Sequence, residues 1–252
     1  MTRGFRTLFY KEILRFHKVV LQTVIAPAIT TLLYLLVFSH ALERHVTVFG
    51  DIAYTAFLVP GLVMMTMIQN AFANSSSSLI QSKVTGNIVF VLLTPLSYTE
   101  FYLAFMLAAV TRGLVVGLVV YLCAIPFVTL PLHSAAIIVT FALASSAVLG
   151  TLGIIAGIWA EKFDQLAGFQ NFIILPLSFL SGVFYSIASL PEFWQHISRL
   201  NPFFYMIDGF RYGFVGRSDI DPGVSLTVVV ATFLLLSFLT LALLRRGYRL
   251  RN

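Results

Sequence analysis

The chain has 252 residues, of which 59% are hydrophobic and only 10% charged, with a mean hydropathy of +0.93. A soluble domain carries about 25% charged residues, and this much apolar surface would not stay dispersed in water, so a water-soluble globular protein is excluded. The net charge of +6 and the pI near 9.6 read as membrane topology and contact with anionic lipid, not as a nucleic-acid footprint.

Uncharged runs cover residues 19–42, 52–82, 101–111, 113–160, 165–191 and 222–244. A spanning helix needs ~20 apolar residues, and only helices or closed barrels satisfy the backbone inside hydrocarbon. The runs lack the alternation of barrel strands. The expected fold is an all-α integral membrane protein with six transmembrane helices, at about 19–39, 52–74, 101–124, 134–158, 168–187 and 224–244. The long run after Gly113 turns at Pro126, Pro131 and His133. No hydrophilic segment approaches the ~100–150 residues of an ordinary domain. Residues 1–252 therefore read as one transmembrane domain, and any soluble catalytic partner belongs to another chain.

Residues 3–18 read as an N-terminal interfacial helix. Phe5, Leu8, Phe9, Ile13 and Phe16 recur on one side, and Lys11, Arg15 and Lys18 on the other. A basic flank that only sets topology is the plainer alternative. Glu12 falls inside the apolar stripe, which is costly without a partner, and Arg15 one turn on is the local candidate. The helix is therefore expected to dock on the bundle. The run from residue 19 is too long for the apolar core of a cleaved signal peptide.

After the second span, residues 74–100 form the longest loop on the side of the termini. Asn74 and Ser75–Ser78 open it, a short helix is expected from about 76 to 85, and Gly86 closes that helix. A flexible serine-rich linker is the alternative. The apolar segment 88–93 suggests something packed. A shorter loop on the same side carries Glu161, Lys162, Phe163 and Asp164. Between the fifth and sixth expected spans, residues 186–223 are too apolar for a solvated loop and too interrupted for a span. Two short re-entrant or interfacial helices fit there, one marked by Phe193, Trp194, Ile197 and Leu200, the other by Phe203, Phe204, Ile207, Phe210 and Phe214. An aromatic belt is the competing account.

With an even number of spans both ends share a side. Eleven Lys and Arg residues fall there, including Arg3, Arg6, Lys83, Lys162, Arg245, Arg246, Arg249 and Arg251; the opposite side holds Arg44, Arg199, Arg211 and Arg217. That asymmetry puts both termini in the cytoplasm. Arg112 stands alone about halfway through the third span. A buried Arg costs at least ~2.5 kcal/mol on insertion scales, so it should face the protein interior or water. Its candidate partners are a backbone carbonyl, Gln69, Asn70 or an anionic ligand, and a structural and a substrate role both stay open.

No Gly-x-x-x-x-Gly-Lys-Ser/Thr loop occurs, so nucleotide is not bound by that route. His40 and His45 near Glu43 have only a faint metal-ligand spacing. The single Cys123 reads as packing, and no hydrolytic triad is suggested. An export permease, a secondary transporter or channel, and a membrane-embedded transferase are the functions to weigh. The second normally needs mid-membrane carboxylates, and the third needs a carboxylate–metal cluster.

Several motifs resemble a known family in their order and spacing. They are Lys11-Glu12, Pro60-Gly61-Leu62, Leu92-Leu93-Thr94-Pro95-Leu96-Ser97, Leu200-Asn201-Pro202-Phe203-Phe204-Tyr205-Met206 and Gly209-Phe210-Arg211-Tyr212-Gly213. From about residue 5 to the C-terminus the chain looks like the ABC-2 type permeases, the membrane subunits of bacterial ATP-driven exporters. Within them it is similar to nodulation-factor, drug-export-like and polysaccharide-export permeases. The resemblance implies an inner-membrane permease, not an enzyme, that binds no cofactor itself. It would pair with a second permease subunit, as a homodimer, and with two separate ATPase subunits that use ATP. It implies a coupling helix at Gln81, Ser82, Lys83, Thr85, Gly86 and Asn87, with Lys162, Phe163 and Asp164 as secondary contacts. It also implies a pathway along Arg112, Asn70, Phe172, Phe179, Phe184 and Tyr185, and an outer re-entrant segment around Asn201, Pro202, Tyr205 and Arg211.

Overall fold

The computed structural model describes residues 3–42, 47–50 and 52–248. Glu43, Arg44, His45, Arg249 and Arg251 from the expectations above lie outside them, as does the side chain of His40. In chain order the helices are α1 (Arg3–Lys18), α2 (Val20–Leu42), α3 (Tyr54–Val84), α4 (Ile88–Leu92), α5 (Tyr98–Ala124), α6 (Ala135–Trp159), α7 (Phe163–Phe169), α8 (Leu175–Phe179), α9 (Glu192–Leu200), α10 (Pro202–Val215) and α11 (Pro222–Arg246). Two-residue strands β1 (Thr47–Val48) and β2 (Ile52–Ala53) form a small antiparallel hairpin before α3. Among the described residues, α2, α3, α5, α6 and α11 are long and apolar enough to cross a membrane.

Local chemistry sets the helix ends. Ser97 caps α5 through a reciprocal box in which the Glu100 N–H donates to Ser97 Oγ at 3.2 Å. Asn201 and Asp221 cap α10 and α11, each followed by proline at the first helical position.

The bundle is built around α3, which packs on α2, α5, α6 and α10 and is buried on nearly every side. Its closest neighbour is α6, whose Gly153 and Gly157 let the two backbones meet, while Gly150 makes room for Ala109 of α5. A Cβ on Gly153 would lie 2.4 Å from the Phe72 carbonyl oxygen. The helices α2 and α11 are peripheral and expose apolar stripes.

Two expectations change. The serine run is neither loop nor linker, because α3 continues through it to Val84 and buries Asn74, Ser75, Ser76 and Ser78. Ser76 Oγ donates back to the Phe72 carbonyl at 2.8 Å, and no Gly or Pro intervenes until Gly86 reverses the chain at φ +73°. The stretch expected as a fifth span at 168–187 is also different. A continuous helix runs from α7 through a π turn (Gln170–Ile174) into α8, ends at Phe179, and gives way to a bend around Gly182 (φ +72°). Pro176 lies inside it and removes one ladder donor, which fits this early end.

Helix α1 docks as its stripe suggests. Phe5, Leu8, Glu12 and Phe16 are buried, against α5 and the end of α3. Lys11 lies over the Phe105 ring and Phe16 beneath the Arg112 guanidinium, so α1 runs the same way as α5.

Candidate functional site

The end of the bundle carrying α1, the last turns of α3, α4 and the start of α7 is the basic end. Its organising group is Glu12, fully buried yet held by Lys11 Nζ at 2.8 Å, Arg15 Nε at 3.4 Å and Ser78 Oγ at 2.8 Å. Arg15 also donates to Ser77 Oγ at 3.1 Å and to the Asn74 carbonyl at 2.7 Å. A buried carboxylate is tolerated only with such donors, and here they tie α1 to α3.

The expected coupling residues surround this cluster. Gln81, Thr85, Gly86 and Asn87 are exposed, whereas Ser82 is buried. Lys83 turns inward: its ammonium donates to the carbonyls of Ile158 and Ala160 at 2.8 and 2.6 Å, capping the end of α6. That contact brings the chain before Lys162, Phe163 and Asp164 beside the end of α3, and all three of those side chains are exposed. The neighbouring α4 buries only Ile88 and leaves Val89, Phe90 and Leu93 exposed at 53%, 71% and 77%. The apolar run 88–93 therefore projects more than it packs.

Midway along the bundle, Arg112 faces the interior. Its Nε and Nη2 both donate to Asn70 Oδ1, at 3.3 and 3.0 Å, and Asn70 Nδ2 donates to the Thr66 carbonyl. Asn70 lines a groove between α2 and α3 with Thr30, Thr31, Tyr34, Thr66 and Gln69. Tyr34 then meets Phe184 edge-on at 5.6 Å, and Phe184 stacks on Phe179 at 5.7 Å. Tyr185 donates to the Phe179 carbonyl at 3.1 Å. Phe179, Phe184 and Tyr185 are thus together, while Phe172 stands apart and almost fully exposed.

At the opposite end, Arg211 is completely buried. It lies at the expected end but not in a solvated loop: its Nε donates to the Phe57 carbonyl at 3.1 Å and Nη2 to the Gly182 carbonyl at 2.7 Å, over the Phe57 ring at 3.7 Å. Asp208, also overlooked, accepts the N–H groups of Asp219 and Ile220 at 3.0 and 3.1 Å. Asp208 lies on α10, outside the long spans, and burial pushes its carboxyl up to about 6, against the pull of those N–H donors and of Arg211. Asn201 Nδ2 donates to the Leu177 carbonyl at 2.7 Å, and Tyr205 to the Arg199 carbonyl at 2.8 Å. Pro202 starts α10, whose far end receives the α5–α6 turn through the His133 N–H to the Gly213 carbonyl.

This arrangement gives spatial meaning to separate sequence motifs, since Gly61 leaves room for Arg211; a Cβ there would fall 2.9 Å from Nη2. Residues 3–215 match the family described as ABC-2 type transporter. The chain belongs to that family. It is similar to the inner membrane transport permease YadH of Escherichia coli K12, with 37% identity over 248 residues covering 98% of this chain and 96% of that protein. Nodulation protein J of Rhizobium meliloti 1021 is 24% identical over 241 residues, covering 94% and 90%. Its counterpart in Rhizobium leguminosarum bv. trifolii is 25% identical over 242 residues. The protein is a multi-pass inner-membrane permease of the ABC-2 type. In this permease the Lys11-Glu12 pair, the Pro60-Gly61 step and the Asn201–Gly213 segment all make contacts between elements distant in sequence.

Proposed function

We propose that this permease is the membrane subunit of an ATP-binding-cassette exporter, driven by a separate ATPase that binds the ATP. Two copies pair, each meeting one ATPase subunit, and the basic end with both termini faces the cytoplasm. The helix 163–179 and the bend after it complete a sixth crossing. Helices α9 and α10 are re-entrant pieces that close the outer end. The pathway for a lipid-like, saccharide-containing or drug-like substrate follows the α2–α3 groove from Asn70 to the aromatic group at Phe179, Phe184 and Tyr185.

The observation that carries this reading is the apolar knob of Val89, Phe90 and Leu93 on a short helix anchored by Ile88 at the basic end. An exposed apolar patch at the charged rim of a membrane protein suits a protein partner better than water. Gln81, Thr85, Gly86 and Asn87, with Lys162, Phe163 and Asp164, supply its polar rim.

Copurification of the full chain with its phosphate-loop ATPase tests the assignment. Phe90→Asp with Leu93→Asp should cut ATPase recovery by about tenfold or more, as loss of interface anchors does, with dimerisation intact. Substrate movement by the purified chain without ATPase or ATP would instead favour a secondary transporter or channel.

A further inference from the structure

We infer that α1, α3 and α5 frame a track for a phosphate-bearing anion, entered between α1 and α3 and ending on Arg112. The direction of travel rests on the permease reading; the binding does not. Arg112 is 7% exposed, and only two of the five guanidinium N–H groups find an acceptor among the described residues, both on Asn70 Oδ1. Neither ion pair made by Glu12 involves Arg112, and no carboxylate among the described residues is paired with it. Two of the other three belong to Nη1, which is not among the fully enclosed unpaired atoms, so an anionic oxygen can reach them.

One helical turn along α3, Asn74 is fully buried and its Nδ2 has no partner, while its Oδ1 receives Arg15 Nη2 at 3.1 Å. Asn70 and Asn74, four residues apart, share a face of α3 and place Arg112 and Arg15 in succession. Arg15 in turn lines a cleft of about 540 Å³ between α1 and α3 with Lys11, Lys18, Ser78 and Gln81; Glu12 pairs with Lys11 and Arg15 behind it, which leaves the cleft positive overall. The basic cleft, Arg15–Asn74 and Arg112–Asn70 follow one another along α3, and the fully buried Asn74 closes the way between the cleft and Arg112. Beyond them lies the hydroxyl- and amide-lined α2–α3 groove. A guanidinium fork with open N–H groups matches phosphate oxygens in geometry and charge. The exposed apolar stripe of Leu21, Ile25, Ile29, Leu33 and Leu36 on α2 leaves acyl chains a place beside the track.

The test is equilibrium binding to the purified full chain in neutral detergent. Dioctanoyl phosphatidic acid, dioctanoylglycerol and inorganic phosphate are the probes. The phosphatidic acid should bind saturably and at least about tenfold more tightly than dioctanoylglycerol. Arg112→Gln should weaken it by about tenfold or more, and Arg112→Lys by less. Asn70→Asp should do the same by placing a carboxylate on the guanidinium, with a Tm at or above wild type, so that loss of binding is not loss of fold. Competition by inorganic phosphate assigns the site to the bare anion, and its failure to compete assigns the site to an amphiphile headgroup; both support the track. Equal binding of dioctanoylglycerol, or unchanged phosphatidic acid affinity in both Arg112→Gln and Asn70→Asp, overturns it. No ATPase is present in this assay, so failure of the exporter reading would leave its outcome untouched.

Discussion

Two buried arginines lie in this bundle, and their surroundings differ. Arg211 spends Nε and Nη2 on backbone carbonyls from α3 and from the bend at Gly182 and Val183, and its guanidinium carbon lies 3.7 Å from the centre of the Phe57 ring. Arg112 leans on one side-chain oxygen and has no backbone carbonyl acceptor among the described residues. Burial is nearly equal, so burial does not separate a structural cation from a functional one. The acceptors do. Arg211 joins three elements through their backbone carbonyls, whereas Arg112 is held by a single side chain.

Removing Arg211 should therefore have the largest effect. Arg211→Leu deletes the donors for the Phe57 and Gly182 carbonyls and leaves Asp208 without its nearby cation. Breaking one side of a buried charged network costs ~3–5 kcal/mol. The variant should insert poorly or lose the α10 contacts, read as a collapse in monodisperse yield and a large fall in Tm. A normal melting profile would break the comparison.

Gly61→Ala attacks the same clamp from the other side. The added methyl would lie 2.9 Å from Arg211 Nη2 and 3.0 Å from the Val183 carbonyl oxygen, and neither is free to retreat. Overpacking of this kind costs ~1–3 kcal/mol. Gly168→Ala, where nothing lies within 4 Å, is the control and should be silent. Equal melting of the two variants would show that the clamp is looser than its geometry.

At the basic end, Lys83→Met should cost ~1–2 kcal/mol, the net worth of a charge-assisted bond to carbonyl groups, because the ammonium caps α6. Reversal of this charge is consequently a poor probe of ATPase docking. Phe90→Asp, which alters an exposed side chain, should leave the stability within ~0.5 kcal/mol of wild type. If Lys83→Met were as stable as Phe90→Asp, the cap would be ornamental.

The parts legible in the sequence are those set by spacing within one helix. Glu12 inside an apolar stripe, with Arg15 three residues on, foretold both the docking of α1 and the ion pair. A lone Arg112 in an uncharged run foretold an interior position, and Asn70 was among its candidate partners. Arg211 was not legible, because its acceptors lie 154 and 29 residues away and only the folded bundle brings them near. The continuation of α3 through the serines could have been read from the absence of any breaker between Gly61 and Gly86. The end of the helix at Phe179 had its signals in Pro176 and Gly182. Exposure of Phe90 had no signal, since an apolar run looks the same whether it packs or projects.

Arg112→Leu should change stability little, and it sharpens the comparison most. The substitution frees one acceptor, Asn70 Oδ1, for a loss of about 1 kcal/mol. It also removes an incompletely paired buried charge, and replacing such charges by apolar side chains is often neutral or stabilising. Net stability should stay within ~1 kcal/mol of wild type, near that of Leu114→Ala on the same helix. Transport should not stay. If the open N–H groups receive substrate, Arg112→Leu abolishes ATP-dependent export in reconstituted vesicles while Leu114→Ala retains it. A silent Arg112→Leu in both melting and transport would make the residue a passenger, and a Tm loss as large as that of Arg211→Leu would make it a second clamp. Either result would erase the distinction between a guanidinium held by backbone carbonyls and one held by a single side chain.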